Sequence, residues 1–100
     1  MLETTQTVDG TSMTITLTGR LDVNTSSDFE SQALEDITDI TDLTLDAAGL
    51  EYVSSAGLRA LILLTKTQSE KGGTCVIVNA SENVQQVVKT TGLSGVLHLV

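Results

Sequence analysis

Three times along this chain a strand-like run passes into a helix-like stretch and then into another strand-like run. That alternation leaves few folds open. The order of elements reads β β α β α β α β. Strands joined through helices predict a mostly parallel sheet with right-handed crossovers, and the extra strand at the start adds a hairpin. Leu2 to Val8 and Thr11 to Thr18 flank Asp9-Gly10, a dipeptide whose favoured turn takes positive φ at both central residues. In the second run Met13, Ile15 and Leu17 alternate with Ser12, Thr14, Thr16 and Thr18, so one face is core and the other is solvated.

The segments that follow fit the same pattern. Gly19 to Asn24 is a connector. Thr25, Ser26 and Ser27 offer N-caps, and Ser27 with Glu30 or Thr25 with Asp28 has capping-box spacing. Phe29, Ala33, Leu34 and Ile37 at helical spacing predict a helix over 26–37. Leu43 to Ala47 is a short apolar strand with Asp46 near its end. Ala56 to Glu70 is a second helix, apolar around much of its circumference, and Lys66, Lys71 and Gly72-Gly73 suit its C-terminus. Thr74 to Asn79 is a β-branched run that reads as a central strand. Ser81 caps a third helix carrying Val84, Val87 and Val88, Gly92 stops it, and Val96 to Val100 is a last strand. No repeat or low-complexity tract interrupts the series, so residues 1–100 form one domain with a single core.

Charge and composition then narrow the function. Thirteen carboxylates against five Lys and Arg give a net charge of −8. Without a basic footprint there are no counterions to release, which speaks against nucleic acid or anionic lipid and favours a basic or mixed protein partner. The single Cys75, in an apolar run, reads as a buried structural thiol, unable alone to make a disulfide or a metal site. Met1-Leu2-Glu3-Thr4 lacks the basic and apolar regions of a signal peptide, and no 18-residue apolar run is present. The expectation is a soluble, cytoplasmic protein away from membranes. Gly72-Gly73 follows a helix rather than opening one, so no phosphate loop is formed. His98 sits among Val96, Leu97, Leu99 and Val100 as a strand histidine. Asp22 and Asp46 are left as the pair of carboxylates that could imitate a general acid and base. No catalytic residue, metal or cofactor is expected, and the chain reads as a binding module rather than an enzyme.

One junction carries most of the functional signal. Leu43 to Leu61 runs from strand through a loop ending in Ser54-Ser55 into the second helix. A serine hydroxyl at a helix start lies where backbone N–H groups are unpaired and the potential is positive. It can cap the helix, hold an anion or carry a phosphate. With two serines, one hydroxyl can cap while the other projects. Gly57, a poor helix former in the first turn, suggests that something approaches the backbone closely there.

Taken together, Leu-Thr-Gly-Arg-Leu-Asp at 17–22, Thr25, Leu-Thr-Leu-Asp at 43–46, Tyr-Val-Ser-Ser-Ala-Gly-Leu-Arg-Ala-Leu at 52–61, Gly72-Gly73 and Val-Lys-Thr-Thr-Gly-Leu at 88–93 resemble a STAS domain, specifically the bacterial anti-sigma factor antagonists. The resemblance covers nearly the full length in order. It implies a single small α/β domain with a mixed, mostly parallel sheet, an N-terminal hairpin and helices packed largely on one face. It also implies an anti-sigma factor antagonist. The unphosphorylated protein would bind an anti-sigma factor that is also a serine kinase, so releasing a sigma factor. The family's phosphorylated serine falls on Ser55, with Ser54 in place of the usual preceding acid and Ala56 in place of the following Ser or Thr. Asp22, Asn24, Thr25, Ser54, Ser55, Ala56, Gly57 and Arg59 fall on the implied partner surface, and Asp46 falls at a strand end as a loop-capping acceptor. A phosphoserine phosphatase is the implied second partner, and a monomer is the expected state. The alternative is a STAS interaction module without phosphorylation, in another signalling or lipid-transport assembly.

Overall fold

The computed structural model describes residues 1–100 and begins with the hairpin. Strands β1 (Leu2–Asp9) and β2 (Ser12–Leu21) pair antiparallel in unbroken register from Leu2↔Gly19 to Asp9↔Ser12. The turn is therefore Gly10-Thr11, one residue later than Asp9-Gly10. Gly10 has φ +62° and Thr11 does not share the positive sign, the pattern of a type II′ turn rather than the type I′ turn the dipeptide suggests.

Helix α1 (Ser26–Asp36), strand β3 (Asp42–Val53), helix α2 (Ser55–Glu70), strand β4 (Thr74–Val78) and helix α3 (Glu82–Thr90) follow. The sheet order is β1-β2-β3-β4, with β2–β3 and β3–β4 parallel. This is the mixed, mostly parallel sheet with an N-terminal hairpin that the sequence predicts. The last strand contracts to one parallel bridge, Ile77↔Leu99, because the N–H groups of Val96 and Leu97 are held in a turn by the Leu93 carbonyl. Beyond Val78 the chain also turns away at Asn79, whose φ of 58° is left-handed, so little of β4 remains to pair.

The larger departure is β3, which continues six residues past the expected end at Ala47. Its register against β2 jumps from Thr16↔Asp46 to Thr18↔Gly49, and again from Gly19↔Leu50 to Arg20↔Tyr52. Each jump is a bulge that spends one extra β3 residue. The buried positions run Leu43, Leu45, Ala47, then Leu50 and Val53, so the period of two becomes three at each bulge. A search for strict alternation stops at the first one.

The core lies between one face of the sheet and the helices. Ile15, Leu17, Leu21, Leu43 and Leu45 meet Ile37, Leu61 and Leu64, all almost wholly removed from water. The opposite face carries Thr14, Thr16, Thr44, Asp46, Val76 and Val78, half-buried. Two polar side chains tie the far ends of the helices. Buried Gln68 donates to the carbonyls of Thr41 and Thr74, each at 3.1 Å, at the base of β3 and β4. Lys71 donates to the carbonyls of Ile37 and Ile40 at 2.6 and 2.9 Å. It thereby serves the C-terminal end of α1, which has no basic residue of its own, rather than the end of α2. Cys75 is buried, and burial pushes its thiol pKa up against the opposing pull of a hydrogen bond with Thr65. No helix is long and apolar enough to cross a membrane.

Candidate functional site

The second bulge of β3 shapes the site. It brings the ends of β2 and β3 level, so that Leu21 pairs with Val53 and the N–H of Ser54 donates to the Leu21 carbonyl at 2.9 Å. Ser54 leaves the sheet still extended, at φ −92° and ψ 177°, and its hydroxyl oxygen accepts from the N–H of Gly57 at 3.1 Å. That hydroxyl is the cap of α2. Ser55 is the first helical residue; it is exposed, and its hydroxyl is free of intramolecular hydrogen bonds. The first turn holds no acid, so the positive end of a 16-residue helix is uncompensated beside Ser55. Arg59 is also exposed and lies one turn further on the same helix face. Ala56 is half-buried between them.

Gly57 departs from its expected role. It is buried, and a Cβ there would stand 2.4 Å from the carbonyl oxygen of Leu21 and 2.9 Å from its Cγ. The close approach inferred from the sequence is made by the protein's own strand. Gly57 therefore offers packing to the site, not surface to a partner.

The connector after β2 forms the other side. The Asp22 carboxylate accepts from the N–H groups of Asn24 at 2.9 Å and Thr25 at 3.2 Å. The Thr25 hydroxyl donates to the Arg20 carbonyl at 2.8 Å and accepts from the Asp22 N–H at 3.0 Å. Thr25 holds the N-cap position of α1, yet its side chain is committed to this turn and makes no cap bond; neither predicted capping box forms. Partial burial pushes the Asp22 carboxyl up, but the N–H groups of Asn24 and Thr25 and the Thr25 hydroxyl outweigh it and leave the pKa below the usual aspartate value. Asp22 is thus an ionised brace for the turn.

The structure adds three residues to this surface. The Arg20 guanidinium lies 4.4 Å from the centre of the Tyr52 ring and 3.7 Å from the Asp22 carboxylate, and Val23 projects beside it, 73% exposed. Without the second bulge Arg20 would face Glu51, so the stack was not legible from spacing. The conspicuous signal was an aromatic residue, one of two in the chain, directly before the serine loop.

Asp46 lies elsewhere. Its carboxylate accepts from the Ala48 N–H at 3.0 Å and the Asn79 amide at 3.1 Å, locking the first bulge. The Asn79 bond, then the Ala48 bond, hold its pKa below the usual value against partial burial. Asp46 pairs with Thr16, six residues before Asp22. At ~3.3 Å per strand residue the two carboxylates are about 20 Å apart, too far to act as an acid–base pair. The helix start, the Asp22 turn and the Arg20–Tyr52 stack make one exposed rim, and no group of His, Cys, Asp and Glu side chains is placed to hold a metal ion.

This order of strands and helices defines a class of fold. The family model described as "Mlab, STAS domain" matches residues 4–100, and the chain belongs to the STAS domain family. No curated protein sequence matches it. Among solved structures, a putative anti-sigma factor antagonist of Thermotoga maritima superposes with a TM-score of 0.87 at 16% identity, over 96% of this chain and 84% of that one. SpoIIAA, an anti-sigma factor antagonist and cell-fate determinant of Bacillus, matches all of this chain in two forms. The unphosphorylated form gives a TM-score of 0.83 at 18% identity over 88% of that chain. The phosphorylated form gives 0.76 at 17% over 91%. The murine anion transporter Slc26a9 matches over 93% of this chain but 16% of its own, with a TM-score of 0.77 at 20% identity. These likenesses establish a shared fold.

Proposed function

We infer that this domain is an anti-sigma factor antagonist whose docking is switched at Ser55. The observation that carries the reading is the division of labour at the start of α2. Ser54 is occupied as the cap, and the Ser55 hydroxyl is exposed and free beside it. In the unphosphorylated state the rim formed by Asp22, Asn24, Thr25, Ser54, Ser55, Ala56 and Arg59 packs against an anti-sigma factor with serine kinase activity, and the sigma factor is released. The kinase transfers the terminal phosphoryl group of ATP to the Ser55 oxygen, ADP leaves, and the hydroxyl proton passes to a base of the kinase.

Phosphate brings about −1.5 to −2 charges and a bulky tetrahedral group to the rim. The unpaired N–H groups and dipole of α2 stabilise it within the domain, so the fold persists. The same group blocks close packing and repels acidic residues across the interface. Each ~1.4 kcal/mol of lost binding is a tenfold loss of affinity, so a rigid surface switches without refolding. A phosphoserine phosphatase restores the free hydroxyl.

The test is incubation with the partner kinase and ATP, followed by mass spectrometry and binding. Phosphate on Ser55, normal binding by Ser55→Ala and loss of binding by Ser55→Asp support the reading. Absence of phosphate under active kinase, or unchanged binding by Ser55→Asp, overturns it.

A second reading keeps the docking rim and drops the modification, giving a STAS interaction module of another signalling or lipid-transport assembly. Ser54 in place of an acid beside Ser55 favours it, as does a family model described by Mlab rather than by an antagonist. Equal partner binding by Ser55→Ala and Ser55→Asp selects this reading.

A further inference from the structure

Strand β1 overhangs the helix layer. Leu2, Thr4 and Gln6 are opposite Gly19, Leu17 and Ile15, so they share the core face of the sheet. Yet Thr4 and Gln6 are exposed, because α1 covers β2 and touches β1 through a hydrogen bond from the Gln6 amide to the Asp36 carboxylate. Between this strand and Asp28, Phe29 and Gln32 of α1 lies an open cavity of about 240 Å³, floored by Ile15. It falls below the roughly 300 Å³ at which small-molecule pockets begin, a size for one or two side chains.

The outer edge of β1 is also unpaired, since β1 ends the sheet. Edge strands are ordinarily blunted by Lys, Pro or a bulge. Here eight residues run without any of them, in continuous register with β2. A free strand edge beside a helix-walled groove is the geometry of strand addition, in which main-chain hydrogen bonds give affinity and pockets for alternate side chains give specificity.

Charge selects the occupant. Asp28 lines the groove and Asp36 follows two turns later on the same face of α1, and neither β1 nor α1 carries a cation. A second copy of this chain would bring the same carboxylates to the same place, with a net charge of −8 on each copy. A basic segment would meet no such repulsion. We propose that the groove between the free edge of β1 and α1 is a docking site for an extended basic segment of a partner protein. The segment adds to the sheet as a strand beside β1 and sets an apolar side chain into the cavity. The cavity shares Asn24 and Thr25 with the rim around Ser55, but Ser55 is not among its walls, and the proposal does not depend on the reading of that residue.

The probe is a terminally blocked, fluorescein-labelled peptide of alternating lysine and valine, titrated against the full chain by anisotropy. Amide resonances are followed in parallel. The expected result is saturable binding with shifts confined to β1, α1 and the Asn24-Thr25 turn, and slowed amide exchange along β1. A lysine–serine peptide of equal charge, and the lysine–valine peptide N-methylated at alternate residues, should each bind at least about tenfold more weakly. Thr4→Arg and Asp28→Asn should weaken binding, and Ser55→Asp should leave it unchanged. Equal binding of the lysine–serine peptide, shifts centred elsewhere, or no binding at millimolar peptide overturns the proposal. So does protection of the β1 edge by self-association of the free chain.

Discussion

Replacing Gly57 with alanine separates two opposed effects. Helix propensity alone favours alanine by roughly 1 kcal/mol, so an isolated view of α2 predicts stabilisation. The packing predicts the reverse. The new Cβ would stand 2.4 Å from a main-chain oxygen, that of Leu21, and 3.0 Å from Cγ2 of Val53. Neither the oxygen nor the strand that carries it can rotate away, so the start of α2 must move off the sheet. Overpacking of this kind costs about 1–3 kcal/mol. The displacement also stretches the 2.9 Å bond from the Ser54 N–H to the Leu21 carbonyl, worth about 1 kcal/mol. After the propensity gain, the net loss is about 2 kcal/mol, a fall in Tm of roughly 8–16 °C for a chain of this size. Calorimetry or urea denaturation of Gly57→Ala reads it. Gly95→Ala is the control, because a Cβ at Gly95 meets nothing within 4 Å, and its stability should stay within about 0.5 kcal/mol of the parent. A Tm that rises in Gly57→Ala would show that the contact with Leu21 yields freely, and the account of Gly57 would be wrong.

The two serines should separate in the same assay. Ser54→Ala removes the cap to the Gly57 N–H and should lower stability by about 1 kcal/mol, whereas Ser55→Ala, exposed and unbonded, should change it by less than about 0.5 kcal/mol; equal effects would refute the assignment of the cap. Stability should also fall in acid. Asp22 and Asp46 have folded pKa values below the ordinary 3.8, so their contribution is complete above that value and is lost as pH falls through the lower folded values. Urea midpoints measured from pH 5 to pH 2 should therefore decline most steeply below about pH 4, and Asp46→Asn should decline less steeply than the parent. An unchanged slope in that variant would argue against the bond from Asn79 to Asp46.

Much of this domain was written in local pattern. The alternation of Met13, Ile15 and Leu17 fixed a half-buried strand, and the order of strands and helices fixed a mostly parallel sheet with its hairpin at one end. Ser81 is read as a cap because an N-cap needs only a short hydroxyl before a helix, a requirement met within four residues. At Ser54-Ser55 the same local rule says only that one hydroxyl caps and the other projects; which is which came from the structure, where the Ser54 oxygen accepts from the Gly57 N–H.

What needed the tertiary structure was whatever depends on register. The two bulges of β3 break the period of two, hide the second half of the strand, and decide that Arg20 meets Tyr52 rather than Glu51. The continuation of β3 to Val53 leaves Asp46 in mid-strand opposite Thr16, far from Asp22, although both read as near strand ends in the sequence. Gly57 announces a close approach but not from what, because the approaching carbonyl belongs to a strand 36 residues earlier. The overhang of β1 beyond α1 was equally invisible, for it depends on how far one helix reaches across a sheet. Short-range sterics and hydrogen bonding are encoded residue by residue and can be read in order; the alignment of distant strands emerges from packing the whole core, and that alone composes the surface a partner would meet.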